Sequence, residues 1–133
     1  MKNAAMHILL IEDNPDHVFL TRQAIGVTWR DASLYVTRNL AEARAVLRSL
    51  NGPPRFDLIL AALEPGDASR LAQLRDPQAS AVIGAAPIIA LVSSTRDQEL
   101  ARVAGQPAEW IILKPLRAES LREAIQRRLL LSA

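Results

Sequence analysis

The sequence predicts an α/β fold, a doubly wound parallel sheet of five strands with helices on both faces. Three observations predict it. Five short apolar runs recur along the chain, at 7–11, 33–37, 58–63, 87–92 and 110–113. Segments with apolar residues at helical spacing separate them. The runs are almost continuously apolar, as strands covered on both faces must be. Such alternation gives a parallel sheet, and right-handed crossovers wind it on both sides.

Each element has local grounds. His7 to Ile11 forms the first strand and stops at Glu12-Asp13-Asn14-Pro15, a polar turn with a breaker. Asp16 is expected to cap the first helix, with Val18, Phe19, Ala24 and Ile25 facing inward and Gly26 as its stop. Ser33 to Thr37 is the second strand. Asn39 is the expected N-cap of a helix over 40–50, where Ala43, Val46, Leu47 and Leu50 recur at helical spacing. Asn51-Gly52-Pro53-Pro54 ends it. Leu58 to Leu63 is the third strand. A short helix over 68–75 turns Leu71 and Leu74 inward, with Asp76-Pro77 beyond it. Pro87 to Val92 is the fourth strand, and Ser93-Ser94-Thr95 offers caps for a helix over 96–104. Trp110 to Leu113 is the fifth strand. The last helix runs over 117–131, with Leu121, Ala124, Ile125 and Leu129 facing inward.

Composition narrows the function. A chain of 133 residues, half of them hydrophobic and 23% charged, reads as one domain, here 6–131. It has no cysteine, so disulfides and thiolate metal sites are excluded. The N-terminal segment is too weakly apolar for a signal peptide or membrane span, so a soluble cytoplasmic protein is expected. The net charge is only +2, and the basic residues are scattered. The one cluster, Arg122, Arg127 and Arg128, shares its helix with Glu119 and Glu123 and reads as a solvated face. Nucleic acid is not an expected partner, since aromatics make up 4% of the chain and few could stack on bases.

Ligands of doubly wound sheets bind at the carboxyl ends of the strands. That rule selects Glu12-Asp13, Ala62, Val92-Ser93 and Lys114-Pro115. Two adjacent carboxylates can hold a hard cation such as Mg²⁺ through oxygen. Lys114, followed by a proline that favours extended backbone, can meet a phosphoryl oxygen as a point charge. Ala62 ends the third strand and offers no nucleophile.

Together these parts resemble the receiver domains of two-component response regulators. The resemblance rests on Ile-Leu-Leu-Ile-Glu-Asp-Asn-Pro-Asp at 8–16, the strand at 57–63, Pro-Ile-Ile-Ala-Leu-Val-Ser-Ser at 87–94 and Leu-Lys-Pro-Leu at 113–116. It covers the chain from Met6 to Leu130. The opening stretch is similar to the single-domain regulators that accompany phytochrome-type histidine kinases. The resemblance implies a flavodoxin/CheY-like (βα)₅ fold with strand order 2-1-3-4-5. It implies that Glu12 and Asp13 match the acid pair that binds Mg²⁺, and that Lys114 matches the phosphoryl-binding lysine. The position of the phosphoacceptor aspartate falls on Ala62, or on Ala61 if the shorter following loop is aligned on Pro65. The Thr/Ser position falls on Val92. Ser93 comes next and is expected to point the other way along the strand. The aromatic switch position falls on Ile111, one step after Trp110.

The departures imply a pseudo-receiver, an interaction module without phosphotransfer and without enzyme activity. No cofactor is required; a cation held by Glu12 and Asp13 alone would keep most of its waters and bind weakly. Lys114 is expected to pair with Glu12 or Asp13, partly exposed and worth ~0–1 kcal/mol. The family's contact surface, the helix after strand four with strand five and the last helix, would here carry Arg96, Arg102, Trp110, Ile111, Arg122 and Ile125. With no output domain in the chain, the expected partners are a histidine kinase, another signalling protein or a second copy. Two alternatives remain open from the sequence: phosphorylation on an unusual acceptor, Glu64 or Asp67, and a flavodoxin-like cofactor binder. The loop after the first strand lacks the small donors that a phosphate cradle needs.

Overall fold

Five strands pair in parallel in the order β2-β1-β3-β4-β5. They are β1 (His7–Ile11), β2 (Ser33–Thr37), β3 (Leu58–Ala62), β4 (Ile88–Val92) and β5 (Ile111–Leu113). The computed structural model describes residues 6–39, 41–43, 45, 56–63, 65–76 and 86–124. The central strand β3 is buried at every position, which its unbroken apolar run requires. Register brings the strand ends level. Ile11 stands beside Ala61, Ala62 beside Leu91, and Val92 beside Leu113. The residues that follow these strands therefore emerge at one edge of the sheet.

Alternation along the strands divides the core in two. Leu10, Leu60, Ala62 and Leu91 face Ala24 and Ile25 on one side, together with Leu121 and Ala124. Leu9, Ile11, Ile59 and Ala61 face the other side with Ala43 and Leu74. Ala90, Val92 and Ile111 continue that second layer against Leu71 and Ala101. Val92 and Ala62 thus lie on opposite faces of the sheet.

The helices follow the sequence with informative shifts. Helix α1 (Pro15–Thr28) is capped by Asn14, and Pro15 opens it where a missing N–H costs nothing. Asp16, the expected cap, instead sits in the first turn, where a carboxylate favours the helix dipole. Gly26 does not stop the helix. An interior glycine costs about 1 kcal/mol relative to alanine, and the last turn continues past it. There Thr28 donates its hydroxyl to the Ala24 carbonyl at 2.9 Å. The buried stripe is Thr21, Ala24 and Ile25, while Phe19 is 59% exposed. Phe19 turns to solvent, about 100° around the helix from the half-buried Val18.

Helix α2 (Ser69–Arg75) buries Leu71 and Leu74 as expected. Helix α3 (Thr95–Val103) begins one residue earlier than expected, because Ser94 is the cap and accepts the Asp97 N–H at 3.1 Å. A 3₁₀ turn over Ala108–Trp110 shortens β5 and takes Trp110 out of the strand. Residues 118–124 are helical, with Leu121 and Ala124 buried. Asn39 accepts the Glu42 N–H at 2.8 Å, the expected cap of a helix of which 41–43 and 45 are described. Val46, Leu47, Leu50, the turn at 51–54, Pro77, Ile125, Arg127, Arg128 and Leu129 lie outside the described residues. Among those described, no helix is long and apolar enough to cross a membrane.

Candidate functional site

Glu12 is the first residue beyond β1, and its N–H still donates to Thr37 at 2.8 Å. That bond extends the β1–β2 ladder and turns the side chain inward, where the residue is 3% exposed. Lys114 stands in the same relation to β5. Its N–H donates to Val92 at 2.7 Å, and its side chain is 12% exposed. The two meet. Lys114 Nζ lies 2.6 Å from Glu12 Oε1, while Glu12 Oε2 accepts the Asn14 N–H at 3.2 Å. The partner foreseen as either acid is therefore Glu12; Asp13 is exposed at the rim. The pair is far less solvated than the sequence led us to expect, because four strand ends converge around it.

His17 joins this pair. Its Nδ1 is 3.0 Å from Lys114 Nζ and 3.6 Å from Glu12 Oε1. An ammonium has only donors, so in this contact Nδ1 is the acceptor. Sequence reasoning passed over this residue. The signal was Asn14: as N-cap it binds the N–H groups of Asp16 and His17, and side chains of the first turn lean back toward the strand ends.

Ala62 closes β3 at 4% exposure, where its methyl fills the sheet edge. Its carbonyl accepts a hydrogen bond from Arg70 Nη1, a second contributor the sequence did not single out. Val92 is fully buried against Leu71 and Ala101 and offers nothing to the pocket. Ser93 follows Val92 at the end of β4. Where Val92 packs on the face opposite Ala62, Ser93 lines the cavity beside Ala62 and Lys114, the opposite sense that alternation predicts. This cavity measures about 200 Å³ and is framed by Glu12, Asp13, His17, Ala62, Arg70, Ser93 and Lys114.

These residues do not fit the Mg²⁺ ion that the receiver resemblance implies. Both oxygens of Glu12 already accept hydrogen bonds, one from a cation. The side chain of Ala62 has no oxygen to add. Among the described residues, no group of three His, Cys, Asp or Glu side chains could hold a metal.

The loop after β3 is tied across to α3. Gly66 adopts φ 78° and donates its N–H to Asp97 Oδ1 at 2.6 Å. Asp97 is 7% exposed and also accepts the Ser94 hydroxyl at 3.0 Å. Asp67, one of the substitute acceptors, is exposed and accepts the Ser69 N–H at 2.8 Å. That backbone N–H holds its carboxyl below the usual carboxylate range. Glu64 lies outside the described residues.

On the foreseen contact surface, Arg96, Arg102 and Arg122 are exposed and Trp110 is half-buried. Arg102 pairs with Glu99, which raises its pKa. Ile111 does not belong to that surface. It is 7% exposed and packs in the core, because a parallel strand covered on both faces turns every second residue into a layer. Ile125 lies outside the described residues.

A five-stranded parallel sheet in this order, with an acid after β1 and a lysine-proline pair after β5, defines the class: the fold is that of a CheY-like response-regulator receiver domain. The chain is similar to solved structures of response regulators. The bacteriophytochrome response regulator AtBRR is 26% identical, with a TM-score of 0.72, over 93% of this chain and 92% of that one. The bacteriophytochrome response regulator RtBRR is 21% identical, with a TM-score of 0.73, over 92% of this chain and 77% of that one. A response regulator from Thermotoga maritima matches at 18% identity and a TM-score of 0.67, over 93% and 97% of the two chains. No protein-family model matches the chain, and no curated protein matches its sequence.

Proposed function

We propose that the chain is a pseudo-receiver of two-component signalling, working through phosphorylation-independent contact with a partner protein. One observation carries the reading. At the acceptor position β3 ends in a buried methyl, Ala62, and the lysine that would meet a phosphoryl group is drawn onto Glu12. Phosphoryl transfer needs an in-line nucleophile and neutralisation of the developing charge. The pocket has lost the first and has already spent the second on its own carboxylate. Asp67 is an unsuitable replacement, since its carboxylate is turned to the start of α2. The module acts by binding, in the cytoplasm, with a histidine kinase, another regulator or a second copy as partner. The similarity to two bacteriophytochrome response regulators supports a kinase of the phytochrome type. The docking surface is the one formed by α3, β5 and the helical run at 118–124.

The test is incubation with a small phosphodonor and Mg²⁺, followed by intact-mass measurement. The expected spectrum is unchanged. A stoichiometric gain of about 80 Da, one phosphoryl group, would sink the reading and show that the chain uses an unusual acceptor.

A further inference from the structure

We infer that Lys114 is the resident cation of this pocket and shuts divalent metal out of it. The inference rests on reading the cavity as a receiver pocket, and it goes further by stating what occupies the metal position.

The ammonium is held from several sides. The backbone of Lys114 is anchored to Val92 at 2.7 Å, so its stem starts from a fixed point at the sheet edge. Nζ then reaches Glu12 Oε1 at 2.6 Å and His17 Nδ1 at 3.0 Å. Two of its three protons have acceptors. Glu12 is equally committed, with Oε2 on the Asn14 N–H. A divalent ion would have to displace Lys114 from a carboxylate that is 3% exposed. Among the described residues, the carboxylates it would gain are Glu12 and the exposed Asp13. Mg²⁺ gives up its waters reluctantly and needs near-octahedral geometry, so two carboxylates on one side of a cavity compete poorly with a lysine already in place. Ala62 closes the remaining route. An aspartate there would offer Lys114 a second carboxylate and release Glu12; a methyl cannot. The pocket is consequently insensitive to Mg²⁺, and its charge is balanced from within the chain.

The experiment is Mn²⁺ titration of the full chain, read as free Mn²⁺ by electron paramagnetic resonance, with Mg²⁺ as competitor. Wild type and Lys114→Arg should leave millimolar Mn²⁺ unbound. Lys114→Met should bind Mn²⁺ at least about tenfold more tightly than wild type and release it to Mg²⁺. If circular dichroism shows that Lys114→Met does not fold, Lys114→Gln decides the matter, since its amide keeps a hydrogen-bond donor for Glu12 while removing the positive charge. Wild type binding Mn²⁺ as tightly as the deciding variant overturns the inference, and so does a folded deciding variant that gains no affinity. The phosphodonor test reads the acceptor instead of the cation, so either proposal can fail without the other.

Discussion

Lys114 and Glu12 show how burial changes the worth of a single contact. A surface pair would contribute ~0–1 kcal/mol. At 12% and 3% side-chain exposure the pair is in another regime, where removing one partner strands a buried charge. Lys114→Met should therefore cost about 3–5 kcal/mol in urea unfolding. Replacing both partners by apolar residues should recover most of that loss, while Asp13→Ala, at an exposed position, should shift stability by less than about 0.5 kcal/mol. Glu12, Ala62 and Lys114 were legible in the sequence because each closes or follows an apolar strand at the functional edge. His17 and Arg70 were not. Their places depend on the rotation of α1 and α2 over the sheet, which a strand-end rule does not encode. Ser93 lines the cavity and Val92 does not, because alternation turns the two to opposite faces of the sheet.

At the scale of elements, the strands were read nearly to the residue, because each is an apolar run bounded by breakers. Helix ends and faces were read less well. Asn14 outcompetes Asp16 as cap because its side chain reaches two amides of the first turn. Phe19 was assigned inward with Val18, Ala24 and Ile25 as one helical face, yet the stripe of α1 is set by its angle to the sheet. The two glycines Gly26 and Gly66 separate by the same logic. Gly66 holds a left-handed φ of 78°, and open space surrounds the position of its missing Cβ. Gly66→Ala should cost about 1–2 kcal/mol through backbone strain alone. Gly26 also meets nothing within 4 Å but sits in a helix, so Gly26→Ala should stabilise by up to about 1 kcal/mol. Thermal melts of the two variants should move in opposite directions.

For the molecule as a whole, the alternation of strands and helices was enough to predict the architecture, and the receiver resemblance supplied the order 2-1-3-4-5. What the chain contacts was legible only in outline, since a docking surface leaves no periodic signal and Ile111 proved to belong to the core. The exposed arginines test the proposed surface. Reversing Arg96 and Arg122 to glutamate should abolish capture of the proposed signalling partner from a lysate of the native cells. Ala62→Ser, which leaves that surface untouched, should capture as well as wild type. Equal capture by the charge-reversed chain would move the interface elsewhere.

The bond from Gly66 to Asp97 has a mechanical consequence. It spans 31 positions and joins the segment leaving β3 to the first turn of α3. The carboxylate that accepts it also holds the Ser94 hydroxyl. The two segments therefore form one rivet at the rim of the sheet, and neither can swing outward unless the other lets go. A partner that pries at the loop is, through that rivet, pulling on a helix.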